Sequence, residues 1–461
     1  MRELLRKSPR YFLLVALAGL ALRLLFILRF PSITADSLIY GDIAKNWMQH
    51  GIYGVSDNGN FAATDIRLPG YPAFLVVIFA IFGMEHYRTV LVVQMLVDLG
   101  TCLIIVDMAR RTISPRAAKA AFLLAALCPF LANYAAAALT ETLEIFFTAL
   151  ALDRAIAGLE GCRLRPWVGC GLATAAAILL RPDGGLLLIA VGGYLLILLV
   201  RSIADRTQAG VASALAQARS APHILRAGTI LVVVALAPLV PWTLRNLRTL
   251  HRFQPLAPRY ANAENEFVPV GFNRWVKTWM ADYASVEEIY WPAPGNEVDA
   301  SKLPDRAFDS DAQCQETLQL LADYNDALHF DPGLDVRFAK LAAERIHDAP
   351  LRYYVWLPLL RIADMWLRPR TELLPADTRW WEFNDDPEWS VLAVALGVIN
   401  LGYVVGACLG LLRWRSIAFV GLMTFFVVLR SAFLGTLENP EPRYTLECYP
   451  VVTTLMAALF T

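Results

Sequence analysis

The sequence predicts an all-α polytopic membrane protein with about ten transmembrane helices, further interfacial helices and a smaller, mainly helical outer domain. The first observation is compositional: of 461 residues, 57% are hydrophobic and 18% charged, and the mean hydropathy is +0.46. These values lie far from those of a soluble domain of this length. The second is that apolar runs near the roughly 20 residues needed to cross a bilayer recur along the chain. The third is that polar residues gather in two long segments.

The apolar runs give the predicted spans in order. Ten are expected to cross, although the last is short: 11–30, 88–109, 117–135, 140–159, 167–180, 184–200, 226–244, 389–412, 416–435 and 449–460. The first run is longer than the apolar core of a signal peptide and no Ala-x-Ala-like site follows it. Two other stretches, 71–82 and 353–366, are too short or too interrupted to span, so they are predicted to lie at the interface.

Basic residues orient these spans, because Lys and Arg accumulate in short cytoplasmic loops. If 71–82 does not cross, every basic cluster falls on one side. The clusters are Arg2, Arg6, Lys7 and Arg10; Arg110, Arg111, Arg116 and Lys119; Arg154, Arg163 and Arg165; Arg201, Arg206, Arg219 and Arg226; and Arg413 and Arg415. The sequence therefore predicts a multi-pass protein of the cytoplasmic (inner) membrane with a cytoplasmic N-terminus and outward-facing large loops.

The predicted organisation has three parts. Residues 1–245 form an N-terminal transmembrane region with a first outer loop at 31–70, and residues 246–388 form an outer domain with an interfacial helix near 353–366. Residues 389–461 supply the C-terminal transmembrane helices. Within the outer domain, 311–328 and 331–348 have amphipathic patterns, and the second is preceded by the helix-start signal Asp331-Pro332.

Several functional classes find no support in the sequence. Lys+Arg and Asp+Glu both number 41, so nothing suggests a nucleic-acid partner or a polybasic membrane anchor. The seven cysteines are scattered, and no Cys-x-x-Cys or His cluster indicates a metal centre. No Gly-rich phosphate loop precedes a helix, so a nucleotide site is not predicted.

Three carboxylates on the predicted outer face are candidates for chemistry. Asp36 follows the first span and lies four residues before Tyr40, a spacing that suits one face of a surface helix. Asp42 is six residues further on and would not share that face. Glu141 begins a predicted span. For Asp36 an N-cap or solvated loop position, and for Glu141 an ordinary helix start, are the alternative interpretations.

Four arginines are predicted at the same outer level of the membrane although they are far apart in sequence. They are Arg67, Arg181, Arg245 and Arg443. A guanidinium group suits a phosphate because it donates two parallel, charge-assisted hydrogen bonds. Anchoring in lipid headgroups is an equally good interpretation of any single one.

Five motifs together resemble the GT-C class of integral membrane glycosyltransferases. They are Asp-x-x-x-Tyr-x-x-x-Ala in the first outer loop, Arg-x-Pro-Gly-Tyr-Pro, Thr-Glu at the head of a span, Pro-Trp-x-x-Arg-Asn, and Arg-Tyr-x-Leu before the last helix. The nearest branch is the bacterial relatives of dolichyl-phosphate-mannose protein mannosyltransferases, including the lipid A aminoarabinose transferases. Each motif is short, and their order gives most of the specificity.

The resemblance implies transfer of a hexose or pentose from a polyprenyl-phosphate donor to a lipid, glycan or protein acceptor at the outer face. It makes Asp36 the catalytic carboxylate, as base or acceptor-orienting group, and it matches Arg67 to a Lys that contacts the carrier phosphate in the aminoarabinose transferases. From their place on the outer face, Arg245 and Arg443 are further candidates to bind the donor phosphate. Candidate contacts to donor or acceptor are Tyr40, Asp42, Tyr71, Glu141, Arg181 and Tyr444. The single acidic residue departs from relatives with two adjacent ones. No cofactor is therefore certain, and a divalent metal remains open.

Displacement of polyprenyl phosphate by an acceptor hydroxyl needs a carboxylate on one side and cations on the other, and a single displacement inverts the anomeric centre. The outer-domain aromatics could stack on sugars or form its core: Trp275, Trp279, Tyr283, Tyr290 and Trp291. A secondary transporter or lipid flippase is the main alternative function. A non-catalytic assembly protein is the third.

Overall fold

The computed structural model describes residues 2–57, 59–204, 220–263, 266–384 and 386–461. Arg206 and Arg219, two of the basic residues used to predict orientation, lie outside these ranges. The chain divides into two compact units. The first comprises Met1–Ala263, Tyr403–Leu429 and Leu446–Thr461, and the second comprises Glu264–Gly402 and Arg430–Thr445.

Helices dominate the described part of the chain, as the sequence predicts. The first twelve are α1 (Arg2–Lys7), α2 (Pro9–Arg29), α3 (Ala35–His50), α4 (Gly70–Phe82), α5 (Tyr87–Thr112), α6 (Pro115–Ala126), α7 (Pro129–Tyr134), α8 (Glu141–Leu159), α9 (Arg165–Leu180), α10 (Gly185–Ala204), α11 (Ala221–Leu236) and α12 (Leu239–Thr249). The others are α13 (Val270–Lys277), α14 (Asp311–Ala327), α15 (Pro332–Asp348), α16 (Leu357–Leu367), α17 (Pro387–Leu411), α18 (Val420–Gly435) and α19 (Tyr449–Ala457). Shorter helical turns connect several of them.

Five segments of the described chain are long and apolar enough to cross a membrane. They are Pro9–Arg29, Tyr87–Thr112, Pro182–Ile203, Ala221–Thr249 and Pro387–Leu411. Shorter apolar helices add Gly70–Phe82, Arg165–Leu180 and Val420–Gly435. The prediction of an all-α, multi-pass membrane protein is confirmed.

Some predicted spans differ in detail from the helices observed. The run at 117–135 is divided between α6 and α7, because Pro129 has no backbone N–H to continue the first helix. Helix α4 has 13 residues, or about 20 Å at 1.5 Å per residue, which is less than the hydrocarbon thickness. The last run holds a nine-residue helix and a short 3₁₀ turn.

A small hairpin interrupts the otherwise helical first unit, and the sequence analysis did not predict it. Strands β1 (Gly54–Asp57) and β2 (Asn60–Ala63) pair antiparallel within the first outer loop. Deeper in this unit, Arg23 of α2 and Asp98 of α5 form a buried ion pair at 2.6 Å. The same guanidinium donates to backbone carbonyls of α2 and α6, so these three helices are joined by one fully engaged cation.

The second unit has its own aromatic core. Helix α15 begins at the predicted N-cap Asp331, whose carboxylate accepts from the backbone N–H groups of Gly333 and Leu334. Trp275 and Trp279 lie wholly inside this core, so the sugar-stacking role considered for them is wrong. Trp291, in contrast, is exposed and contacts Tyr283 edge-on.

Candidate active site

Helix α3 positions Asp36 through a capping box at its first turn. The Thr34 hydroxyl accepts from the backbone N–H of Ser37 at 3.4 Å, and the Ser37 hydroxyl accepts from the N–H of Thr34 at 3.0 Å. These reciprocal bonds satisfy donors that a helix start leaves unpaired. Asp36 therefore has a fixed place in the first helical turn, where the positive end of the helix dipole favours a carboxylate.

Asp36 and Arg67 form an ion pair across the first outer loop. Arg67 Nη2 lies 2.7 Å from Asp36 Oδ1, and the two side chains are 19% and 36% exposed, respectively. Arg67 Nη1 also donates to the carbonyl of Ile66 at 3.2 Å. Both side chains are therefore partly buried and partly accessible, so a ligand can contact either of them.

Gly70 explains how the Arg-Leu-Pro-Gly-Tyr-Pro motif brings Arg67 towards the end of α9. A Cβ at position 70 would lie 2.6 Å from the carbonyl oxygen of Leu179 and 2.9 Å from the nitrogen of Leu180. Only glycine permits this approach of two backbones. Since Arg181 follows Leu180 directly, the contact places the segments that carry Arg67 and Arg181 side by side.

Tyr40 lies one helical turn beyond Asp36, between the charged groups of the site. Its ring is 5.6 Å from the Arg67 guanidinium carbon and 5.0 Å from the ring of Tyr71. Burial raises the pKa of Tyr40 to about 12, with Arg67 and Arg181 opposing the shift and Asp36 and Glu141 adding to it. The hydroxyl therefore remains protonated at neutral pH. Within the described ranges it forms no hydrogen bond, so it can donate one to a ligand.

Tyr71 has a different role, because its hydroxyl is already engaged. It donates to Gln94 Oε1 at 2.7 Å, and Gln94 Nε2 donates to the carbonyl of Ala137 at 2.6 Å. The Ala137 segment is in turn bridged to Ser32, just before α3. Tyr71 thus packs its ring against Tyr40, while its hydroxyl is held by a chain of buried polar groups.

Arg181 is surrounded by three carboxylates. Its guanidinium nitrogens lie 3.2 Å from Asp183, 3.6 Å from Glu141 and 3.7 Å from Glu144. Arg181 and Glu141 were predicted from the sequence, and both act electrostatically on the Tyr40 hydroxyl. The structure thus brings Asp36, Tyr40, Arg67, Tyr71, Glu141 and Arg181 into one neighbourhood.

Two further predicted residues have other partners in the first unit. Asp42 accepts from the Ser56 backbone N–H at 2.6 Å and from its hydroxyl at 2.7 Å, so it holds the hairpin. Arg245 donates to the carbonyls of Tyr53 and Thr64 at 2.5 and 2.7 Å. Contact of either residue with a substrate stays a prediction.

Arg443 and Tyr444 belong to the second unit. Arg443 Nε lies 2.6 Å from Glu441 Oε2, and the Tyr444 hydroxyl donates to Glu441 Oε1 at 2.5 Å. The Arg443 guanidinium lies 5.3 Å from the Tyr444 ring centroid. Its predicted contact with a donor phosphate also stays a prediction.

Comparison with known proteins supports the resemblance drawn from the motifs. Residues 67–225 match the family model of dolichyl-phosphate-mannose-protein mannosyltransferase, and this segment contains Arg67, Glu141 and Arg181. The archaeal oligosaccharyltransferase AglB from Archaeoglobus fulgidus, solved with an inhibitory peptide and a dolichol-phosphate, superposes with a TM-score of 0.52 at 11% identity. That match covers 98% of this chain and 50% of AglB. The chain has the GT-C fold.

Two other solved structures were also matched. The Archaeoglobus fulgidus oligosaccharyltransferase tethered to an acceptor peptide has a TM-score of 0.51 at 12% identity, covering 98% of this chain and 49% of that one. ArnT from Cupriavidus metallidurans bound to undecaprenyl phosphate has a TM-score of 0.42 at 16% identity, covering 95% and 77%. The chain thus spans about half the length of the oligosaccharyltransferase. No curated protein matches its sequence.

Sequence reasoning missed several residues of this candidate site. Glu144 and Asp183 accompany Arg181, and Gln94 holds Tyr71. A signal was present for Glu144, which lies three residues after Glu141 and so on the same helix face. None was present for Gln94, because its partners are distant in sequence. No group of three His, Cys, Asp or Glu side chains in the described ranges is arranged to hold a metal, and a metal requirement stays a prediction.

Proposed function

We propose that this protein transfers a sugar from a polyprenyl-phosphate donor to an acceptor at the outer side of the cytoplasmic membrane. The observation that carries the proposal is the partly exposed ion pair between Asp36 Oδ1 and Arg67 Nη2, 2.7 Å apart. A carboxylate and a guanidinium, the groups that this reaction needs as proton acceptor and phosphate ligand, thus lie together on a chain with the GT-C fold. The AglB structure contains a dolichol-phosphate, a lipid of the carrier class that the proposed reaction releases.

The reaction is a single displacement. The acceptor hydroxyl oxygen bonds to the anomeric carbon while the bond from that carbon to the phosphate oxygen breaks. The electron pair leaves with polyprenyl phosphate, and Asp36 takes or orients the hydroxyl proton. The anomeric configuration is inverted, because attack and departure occur on opposite faces of the carbon.

Arg67 stabilises the leaving phosphate in this scheme. A guanidinium carries five N–H donors, and Arg67 uses Nη2 for Asp36 and Nη1 for Ile66. Binding of a phosphate gives Arg67 a second anionic partner and loosens its hold on Asp36, which is then available to the acceptor. Arg181 lies nearby but is paired with three carboxylates, so the further donor to the phosphate is the neutral Tyr40 hydroxyl. Arg245 and Arg443 retain the phosphate contacts predicted from sequence as part of the proposal.

An apolar groove in the first unit suits a lipid tail. Helices α10 and α11 line an open groove of about 380 Å³ whose walls include Gly192, Leu196, Gly228 and Val232. Helix α10 starts four residues after Arg181, and its first residue in the groove, Gly192, lies about two helical turns further on. A lipid held by its phosphate at Arg67 would have to run along this part of α10 to place its tail in the groove.

The function is tested by replacing Asp36 with asparagine. Mass spectrometry of envelope glycolipids and glycoproteins, with and without the gene, first identifies the sugar and acceptor by the missing hexose or pentose. Purified protein in lipid nanodiscs is then assayed for transfer, and NMR of the product gives the anomeric configuration. We expect Asp36→Asn to reduce the transfer rate at least a hundredfold at normal expression. Addition of EDTA to the same assay tests whether transfer requires a metal.

The matched control is Glu85→Gln, which changes an exposed carboxylate of the first unit that pairs with Lys45. It should retain the wild-type rate. Full transfer by Asp36→Asn would refute the proposed reaction. The transporter or flippase alternative would be supported instead if the wild type forms no sugar-transfer product and Asp36→Asn abolishes a transport activity.

A further inference from the structure

The hairpin of the first outer loop lies between the two residues of the catalytic ion pair. Asp36 and Arg67 are 31 positions apart, and a flexible connection of that length would leave their separation poorly defined. The segment between them contains the rest of α3, strands β1 and β2, and the approach to Arg67. Its contacts show how the separation is fixed.

One side of the hairpin is bound to α3. Asn46 Nδ2 donates to the carbonyl of Gly54 at 3.1 Å and to the Ser56 hydroxyl at 3.2 Å. Asp42 accepts two hydrogen bonds from Ser56, one from its backbone and one from its side chain. Strand β1 is therefore fixed to the same helix that carries Asp36.

The base of the hairpin is closed by Arg245 of α12. Its guanidinium donates to the carbonyls of Tyr53 and Thr64, the residues that immediately precede β1 and follow β2. It also lies 5.2 Å from the Tyr53 ring centroid and 5.3 Å from that of Trp242, a geometry that favours cation–π attraction. Nearby, Arg252 forms an ion pair with the buried Asp65, so a second cation ties the same segment down.

Tyr53 connects this base to Arg67. Its side chain is only 6% exposed and packs edge-on against Trp47 and Trp242. Its hydroxyl donates to the backbone carbonyl of Arg67 at 2.9 Å. Burial raises the pKa of Tyr53 well above its usual range, which keeps this donor protonated.

We propose that Tyr53 and Arg245 are positioning residues for the transfer reaction. Arg245 fixes the Tyr53 backbone, and the Tyr53 hydroxyl fixes the Arg67 backbone, so that the Arg67 guanidinium reaches both Asp36 and the leaving phosphate. This inference rests on the proposed function of Asp36 and Arg67. It gives Arg245 a role through its hairpin contacts, whether or not it also touches the donor.

The test is a pair of substitutions measured singly and together. Tyr53→Phe removes only the hydroxyl and leaves the ring against Arg245, Trp47 and Trp242. We expect its kcat to fall about tenfold, the effect of one lost hydrogen bond on a group that acts in the transition state, with little change in the donor KM. Tyr53→Phe should cause no further loss of transfer rate when it is added to Arg67→Ala. Radiolabelled donor allows the low residual rate of that background to be measured.

Tyr11→Phe is the matched control, because the Tyr11 hydroxyl also donates to a backbone carbonyl, that of Lys119 at 2.8 Å. It removes the same kind of bond far along the chain from the site and should leave kcat unchanged. A wild-type kcat for Tyr53→Phe, or an equal fractional loss in both backgrounds, would overturn the positioning role. If Arg67→Ala itself transfers sugar at the wild-type rate, the proposed function fails and the positioning role with it.

Discussion

At the scale of single residues, the Asp36–Arg67 pair is the part of the site that sequence motifs predicted best. Asp36 follows the first span and Arg67 precedes Pro-Gly-Tyr-Pro, and the two ends of the loop meet at 2.7 Å. The partners of Arg245 could not be read from the sequence, because a guanidinium that binds carbonyls and one that binds phosphate have the same local pattern. Tertiary contacts decide between them.

Tyr40→Phe separates ligand binding from stability. The Tyr40 hydroxyl has no hydrogen-bond partner in the described chain, so its removal should change the free energy of unfolding by less than about 0.5 kcal/mol. If it donates to the donor phosphate, the donor KM should rise about tenfold. Thermal unfolding and steady-state kinetics measure the two effects.

Tyr403→Phe provides the contrast, since that hydroxyl donates to the Leu124 carbonyl at 2.6 Å inside the first unit. It should lower stability by about 1 kcal/mol and leave the donor KM unchanged. A Tyr40→Phe protein that is destabilised but binds donor normally would contradict the assignment.

Glu372, in the second unit, should make stability depend on pH. Both carboxylate oxygens are enclosed and accept no hydrogen bond from another described residue. Burial raises the pKa of Glu372 from 4.5 to about 7, although Arg370, Arg368 and Arg443 oppose the shift. The folded protein therefore binds this proton more tightly than the unfolded chain does. The stabilisation is complete below about pH 4.5 and is lost as the pH rises through 7.

Glu372→Gln removes this titration. Between pH 5 and pH 8 the free energy of unfolding of the variant should fall less than that of the wild type. One pKa unit corresponds to about 1.36 kcal/mol, so the two proteins should differ by up to about 3 kcal/mol. Unfolding midpoints in detergent at the two pH values measure it. Parallel pH profiles for the two proteins would show that Glu372 is ionised in the folded state.

At the scale of secondary-structure elements, the close approach of α4 to α9 determines where Arg67 and Arg181 lie. The sequence contains Gly70 in a turn-like motif, but it does not reveal which backbone that glycine meets. The break between α6 and α7 is different, because Pro129 is a local signal that could have been read. Predictions from sequence were reliable where a local rule applied, as at the Asp331 N-cap, and failed where a distant partner decided the outcome.

Gly70→Ala tests the role of this approach. The added methyl group would lie 2.6 Å from the Leu179 carbonyl oxygen, so α4 has to shift. We expect a stability loss of about 1–3 kcal/mol and at least a tenfold loss of transfer rate. Gly185→Ala, where a Cβ meets nothing within 4 Å, should keep both. Equal behaviour of the two variants would contradict the proposed packing constraint.

At the scale of the whole molecule, composition and hydropathy sufficed for the multi-pass all-α fold, because a chain inside a bilayer has to satisfy its own backbone hydrogen bonds and long apolar runs do so as helices. They did not give the division into two units, since 430–445 packs with the second unit although it is remote in sequence. The predicted orientation rests on the basic clusters and can be tested with native cysteines. Cys162 is exposed and Cys314 partly exposed, and they are predicted on opposite sides.

Single-cysteine variants that retain only Cys162 or only Cys314 provide this topology test. A membrane-impermeant maleimide added to intact spheroplasts should label Cys314 and spare Cys162. Both should react after the membrane is permeabilised, which controls for burial. If Cys162 were labelled in intact spheroplasts, the orientation would be the opposite of the predicted one and the site would lie on the cytoplasmic side.

In the proposed reaction, Asp36 and Arg67 act as one catalytic unit. The most direct test is a double-mutant cycle on the transfer rate with Asp36→Asn, Arg67→Ala and the double variant. Each single change should reduce kcat/KM about a hundredfold or more, and the double variant should be little slower than the worse single one, because residues that act together are strongly non-additive. Losses that multiply in the double variant would show that the two side chains act independently and would contradict the account.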